Sequence, residues 1–473
     1  MSLARNSLLY LISTICLKAV GFLLLPIYTH MVSPTEYGYV YVVSAFQTFM
    51  GLFLTLSMHA AIGRFYFECK DMDEVRQMYS LQVALTAFTA TVIIIFLLLF
   101  KEFIADLINL PESYYIYAVL ISYFSLFYNM VISLLYAKEQ AVRISITSII
   151  VGFVTIVVQL VLVFVLDDKA LALILSMFIS SIITFIIFLF YSTPYFVKPR
   201  FFKKDIVKYY KYSFSQLPSD VSVWFVAVSD RILLNRMQGT CSAGIYGVGN
   251  TLGQIPSMIY QSVNKAYVPF VFRHFKEAED GNVSCLKNVA ETTVKVESIF
   301  TCVVVILIVL SNNVVSLLES QYIDNAVIMP LILFAVWIDC NRIIFMNPLS
   351  YNVKYLKVKS FIWVLAAVLD VCLNLYLIPR YSVYGACATL IISYGVSCLL
   401  ILYFSNKAIK INYDKKKLGT IIVVSALFCF GYFIGSDWQA LLLKIPLIIL
   451  YTSIIVYINN LQSIIIKYIK CHV

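Results

Sequence analysis

Charge is what this sequence has least of. Asp, Glu, Lys and Arg make up 13% of its 473 residues, against about 25% in an average soluble domain. Hydrophobic residues make up 61%, and the mean hydropathy is +0.89. A soluble chain of this composition has too few polar groups to cover its own surface, so the excess apolar surface must face lipid. Long polar segments are also missing. The longest stretch between apolar runs, 192–213, is too short to fold as a catalytic domain. The four histidines (His30, His59, His274, His472) are scattered, and no C-x-x-C spacing occurs among the 11 cysteines. Most of those cysteines lie inside apolar runs and read as small core residues, so neither a metal site nor a disulfide framework is expected. No phosphate-binding loop is present, which excludes ATP as the direct energy source. Gly247-x-Gly249-x-x-x-Gly253 has the wrong spacing for a dinucleotide fingerprint, and Gly249 and Gly253 read instead as a small-residue face for close helix packing. No cofactor is expected. The first apolar run is too long for a signal h-region and carries Lys18, so it is expected to remain as an anchor.

What is present is a repeated pattern. Apolar runs of about 20 residues, each long enough to cross roughly 30 Å of hydrocarbon, occupy 7–29, 38–62, 79–100, 114–136, 144–166, 170–191, 214–236, 243–270, 293–312, 325–349, 360–378, 384–404, 418–435 and 440–458. The expected fold is therefore all-α, a polytopic membrane bundle of about fourteen spans. With the N-terminus inside, 25 of the 35 Lys and Arg fall in cytoplasmic segments and five (Lys101, Lys169, Arg236, Arg380, Lys444) in outer ones. That bias places both termini in the cytoplasm. The net charge of +10 then belongs beside anionic headgroups rather than with nucleic acid, and the bilayer is the expected partner.

The halves resemble each other. Tyr37-Gly38 and Tyr246-Gly247 stand 209 residues apart, as do Arg64 and Arg273. Two parallel six-span lobes follow, 1–191 and 214–404, joined by a basic linker at 192–213 and trailed by spans 13 and 14 within 405–473.

Nine of the charges inside spans stand out: Lys18, Arg231, Lys265, Lys295, Arg342, Asp220, Asp230, Asp339 and Asp370. At roughly 2.5–3.5 kcal/mol each, they would cost on the order of 20–30 kcal/mol unpaired. They must meet partners or water, so the bundle is expected to have a polar interior. Asp339 and Arg342, three apart, can pair on one helical face. Lys295 can snorkel. Lys18 has no acidic neighbour within several turns and points to an anion in a cavity. Asn250 and Gln254 add hydrogen-bonding groups suited to sugar hydroxyls, or to bonding between helices.

Lys18-Ala-Val-Gly-Phe-Leu-Leu-Leu-Pro26-Ile-Tyr-Thr29, then Val32-Ser-Pro-Thr-Glu-Tyr-Gly38, resembles the start of Wzx-type polysaccharide flippases. Ser229-Asp-Arg-Ile-Leu-Leu234 with Ala243-Gly-Ile-Tyr-Gly247, and Asn374-Leu-Tyr-Leu-Ile-Pro379 with Tyr384-Gly-Ala-Cys-Ala-Thr-Leu390, are similar to later segments of that family. The family lies within the multidrug/oligosaccharidyl-lipid/polysaccharide exporter superfamily. The resemblance implies two six-helix lobes rocking about a central cavity in the cytoplasmic membrane, with no enzymatic activity. It implies an undecaprenyl-diphosphate-linked oligosaccharide (an O-antigen-type repeat unit) as cargo, with a polysaccharide polymerase and a chain-length regulator as further partners. The resemblance matches Lys18 to the family's basic residue in its first span and Asp230-Arg231 to its charged pair in span 7. With the other charged and polar residues inside spans, Lys18, Arg231, Lys265, Arg342, Asn250 and Gln254 are the candidate substrate-binding residues, and Asp220, Asp230, Asp339 and Asp370 the candidate coupling-ion residues. Many family members have twelve spans, whereas fourteen are counted here. The rival expectations are a multidrug exporter of the same superfamily, for which a basic interior is ill suited, and a membrane-embedded glycan polymerase, which would bring a large outer loop.

Overall fold

The structure is a computed structural model that describes residues 24–138 and 140–459. Among the described residues the ordered elements are all helical: α1 (24–31), α2 (Pro34–Thr55), α3 (Met58–Phe65), α4 (Met72–Leu99), α5 (Lys101–Leu107), α6 (Glu112–Ala137), α7 (Ala141–Val165), α8 (Lys169–Ser192), α9 (Lys203–Gln238), α10 (Thr240–Gly253), α11 (Ile255–Glu279), α12 (Cys285–Val315), α13 (Asn325–Phe345), α14 (Asn347–Tyr351), α15 (Leu356–Ala408), α16 (Lys415–Cys429) and α17 (Trp438–Ile458). Ten of these are long and apolar enough to cross a membrane. The protein is a polytopic helical membrane bundle.

Helix starts follow local chemistry. Ser33 caps α2 in a capping box. Its Oγ accepts from the Glu36 N–H at 3.3 Å, the Glu36 carboxylate accepts from the Ser33 N–H at 2.8 Å, and Pro34 fills the first helical position. Asp71, Asp168 and Asp414 likewise accept from first-turn amides of α4, α8 and α16. α7 shows where the apolar excess goes. Phe153, Phe164 and Val165 are each at least 65% exposed, a surface suited to lipid and not to water.

Several expected spans are not single helices. The run 38–62 breaks between α2 and α3, where Leu56 and Ser57 both adopt left-handed φ (46° and 59°). The run 243–270 divides at Gln254, because Pro256 starts α11 afresh. Runs 360–378 and 384–404 remain two helices within α15, parted at Ser382, whose backbone (φ 50°, ψ −130°) is not helical. α9, α10 and α11 are not among the ten apolar candidates, since α9 carries Asp220, Asp230, Arg231 and Arg236 and α10 has only 14 residues. The stretch 192–213 becomes helical from Lys203 onward.

The chain divides into two compact units, residues 1–247 with 371–383, and residues 248–370 with 384–473. In the first unit α6 packs on α2, α3, α4 and α8, and α9 lies along α2 and α3. The core there includes Phe46, Tyr79, Tyr115, Phe127 and Phe188. In the second, α12 packs on α11, α13, α16 and α17. Val305, Val309, Ile421, Tyr451 and Ile455 form the cluster that joins the last two helices to α12. Polar ties reinforce it: Asn312 Nδ2 donates to Tyr432 O at 2.9 Å, and Asn313 Nδ2 to Ser436 O at 3.0 Å. Lys444, counted from sequence in an outer segment, is fully buried in α17 and donates to Asn313 Oδ1 at 2.8 Å.

Candidate functional site: buried charges of the two units

In the first unit α9 carries the expected charges. Asp230 is 3% exposed and takes a hydrogen bond from the Tyr246 hydroxyl, while its Oδ1 accepts from the Arg231 N–H at 2.8 Å. The neighbouring guanidinium of Arg231 forms no ion pair among the described residues. It lies 5.7 Å from the centre of the Tyr41 ring, and its Nε has no hydrogen-bond partner. A ring face attracts a cation but does not neutralise it, so Arg231 keeps capacity for an anion. Tyr41 and Tyr246 are held together by close backbone approach. A Cβ on Gly38 would collide with the Thr240 carbonyl, one on Gly244 with the Pro34 carbonyl, and one on Gly247 with the Tyr41 ring.

Ten residues earlier on α9, about 15 Å along its axis, Asp220 accepts from Ser57 Oγ at 2.7 Å, at the break between α2 and α3. His59 is also within electrostatic reach of that carboxylate. Pro218 removes a backbone donor from α9 just before Asp220.

In the second unit, Asp339 and Arg342 pair as their spacing on α13 predicts. Arg342 is 3% exposed, and its guanidinium lies 4.0 Å from the Trp363 ring centre and 5.1 Å from that of Tyr394. This cation is therefore both neutralised and enclosed. Gln254 Nε2 reaches Asn250 Oδ1 one turn away at 3.4 Å, a weak bond. Gly249 and Gly253 press α10 against Asn325, Ile328 and Ile332 of α13, the close packing that their spacing predicts. Asp370 on α15 is 1% exposed. Lys18 lies outside the described residues, as does the side chain of Lys265 on α11.

One buried carboxylate escaped the sequence reading. Glu297, on α12, is 3% exposed, and among the described residues neither of its oxygens has a hydrogen-bond partner. Its signal was present, because it lies inside the expected span 293–312. Proximity to the basic end of that span hid it.

Residues 3–275 match the family described as "Polysaccharide biosynthesis protein". The chain belongs to this family. Within the polysaccharide biosynthesis family, it is 26% identical over 294 residues to "Lsg locus putative protein 1" of Haemophilus influenzae, an alignment covering 59% of this chain and 68% of that protein. It is 25% identical over 293 residues to an "Uncharacterized membrane protein" of the same organism, covering 59% and 67%. Among solved structures, its fold is similar to that of the lipid II flippase MurJ in an inward closed conformation (TM-score 0.76, 15% identity, 94% of this chain and 98% of that one). It is also similar to an inward-facing multidrug resistance MATE family transporter of the MOP superfamily (TM-score 0.63, 14% identity, 86% and 94%). This member of the polysaccharide biosynthesis family thus has a flippase-type or transporter-type fold built from many apolar helices.

Proposed function

We propose that this protein is a flippase of the cytoplasmic membrane. It moves undecaprenyl-diphosphate-linked oligosaccharide repeat units from the cytoplasmic to the outer leaflet by alternating access, for surface polysaccharide assembly. The observation that carries the reading is Arg231, a cation within the bundle that lies over a ring and forms no ion pair among the described residues, although the Asp230 carboxylate is within electrostatic reach. A diphosphate leaving the headgroup layer needs such a group, because burying it unpaired is prohibitive, whereas the polyprenyl tail can stay in lipid. Membership of the polysaccharide biosynthesis family and likeness to a lipid II flippase support the same cargo class.

Lys18 and Lys265 join Arg231 in this proposal as cations for the head, and Asn250 and Gln254 as partners for sugar hydroxyls. Arg342 is paired with Asp339 and contributes through the architecture it fixes, although its Nε has no hydrogen-bond partner among the described residues. Asp220, Asp230, Asp339 and Asp370 are the proposed coupling carboxylates, the N- and C-terminal lobes divide at the basic stretch 192–213, and both termini face the cytoplasm. A polymerase and a chain-length regulator would take the product. The likeness to a MATE transporter supports export of organic cations as a second reading, against which the unpaired Arg231 counts.

Deleting the gene and locating the lipid-linked oligosaccharide tests the proposal. Build-up on the cytoplasmic leaflet is expected. Build-up on the outer leaflet would point to a polymerase, and no build-up with loss of drug efflux to an exporter.

A further inference from the structure

α12 passes through the centre of the second unit, and its polar residues on either side of Glu297 are already engaged. One turn before it, Thr293 bonds to the Tyr267 hydroxyl and to Val289 O. One turn after it, Thr301 Oγ1 accepts from Trp337 Nε1 at 2.9 Å. Between them, Glu297 is buried with both carboxyl oxygens unbonded among the described residues. The hydroxyl of Tyr260 on α11, 2% exposed and within electrostatic reach of Glu297, is also without a hydrogen-bond partner among the described residues. An ionised carboxylate without donor or counter-ion is not sustained in such surroundings. A purely structural position would be better filled by an apolar side chain of similar size.

We propose that Glu297 is a proton-binding site, occupied in this conformation and emptied when the second unit changes state. The groups around it favour a proton over a metal cation. From α11 they are the Tyr260 and Tyr267 phenols, from α13 Cys340, from α15 Cys398, and before α16 Tyr413, with Asp339 and Arg342 beside the two cysteines. Arg342 is held by Asp339 and two rings. From α17, Lys444 is bonded to Asn313, while Tyr451 bonds to Ser425 of α16 and lies beside Cys302 and Cys429. On α12 itself, Lys295 and Glu291 lie toward the helix start with Lys287, Asp414 and Lys417, around a recess that Tyr413 also lines. Among the described residues no group of three or more His, Cys, Asp and Glu is placed to hold a metal ion. A proton needs one lone pair of one carboxyl. Tyr260, unpartnered, is the donor that can turn to the carboxylate once the proton leaves.

The site adds an ion step to the flippase reading and can be examined without lipid-linked sugar. The full-length chain is reconstituted in phosphatidylethanolamine–phosphatidylglycerol vesicles, and the protonated-carboxyl stretch is followed by infrared difference spectroscopy as pH is varied at fixed sodium. The wild type is expected to show a buried-carboxyl band that disappears reversibly with rising pH. That band is expected to be absent in E297Q and displaced in both E297D and Y260F. A band that survives E297Q unchanged overturns the assignment. So does one removed by added sodium at constant pH. Because the readout involves no glycan, a titrating Glu297 together with an unchanged leaflet distribution in the deletion strain would sink only the flippase reading.

Discussion

Ser57 and Asp220 are 163 residues apart in the sequence, and Ser57 Oγ donates to Asp220 Oδ2 at 2.7 Å. The bond joins the break in the second span to α9, and it explains how two consecutive non-glycine residues, Leu56 and Ser57, are held at left-handed φ. Such backbone costs roughly 1–2 kcal/mol per residue and persists where the surroundings over-determine it.

Two substitutions separate the bond from the strain. Ser57→Ala removes the donor, keeps the left-handed strain and leaves Asp220 short of a partner, so it should lower stability by about 1–3 kcal/mol. Ser57→Gly loses the same bond but relieves the backbone, and should stand about 1 kcal/mol above Ser57→Ala. Thermal unfolding of both purified variants in detergent reads the difference. Equal stabilities would mean that the backbone at 57 is unstrained.

Arg231→Gln and Lys18→Ala should each abolish translocation of lipid-linked oligosaccharide while the protein still inserts at wild-type abundance. The measurement is leaflet distribution of the oligosaccharide in cells carrying the variant, alongside membrane levels of the protein. Normal transport by either variant removes that residue from the site.

The Asp339–Arg342 pair predicts a compensation pattern. Asp339→Asn strands a buried guanidinium and should cost about 3–5 kcal/mol, whereas the double change Asp339→Leu with Arg342→Met should recover most of it. Unfolding of single and double variants decides the matter. If either residue of the pair takes part in transport directly, the stable double variant will fold and fail to transport.

Gly38→Ala and Gly244→Ala each drive a methyl into a backbone carbonyl, Thr240 O and Pro34 O respectively. Neither acceptor is the flexible end of a side chain, so each change should cost about 1–3 kcal/mol in overpacking. Gly63→Ala, where nothing lies within 4 Å of the added Cβ, is the control. The comparison is made by unfolding the three variants side by side.

Outside the spans, the hydrogen bond from Lys208 at 2.7 Å holds the Glu68 carboxyl below the usual glutamate range. A depressed folded value makes this contribution present above the unfolded glutamate range and lost as pH falls through the folded value. The stability gap between wild type and Glu68→Gln should therefore exist at neutral pH and close in acid. It should also be small, because the pair is solvent-exposed. Melting temperatures against pH for the two proteins give the answer, and a gap that widens in acid would reverse the assignment.

Several features were settled by local sequence. The scarcity of charge and the recurrence of apolar runs dictate a polytopic helical membrane protein, since only helices and closed barrels satisfy their backbones in lipid. Ser33-Pro34 with Glu36, Asp71 and Asp168 mark helix starts because capping is chemistry between residues two to three positions apart. The Asp339–Arg342 pair and the packing face of Gly249 and Gly253 follow from helical spacing alone. What no local pattern could decide is which buried charge finds a partner from a distant helix. Asp220 is satisfied by Ser57 and Asp230 by Tyr246, Lys444 disappears behind Asn313, and Glu297 has no hydrogen bond to its carboxyl among the described residues. Those outcomes depend on which helices come to lie side by side, and in a chain so uniformly apolar many pairings bury similar surface. The tertiary fold alone chose among them, and with them it chose where a cation or a carboxyl remains free to work.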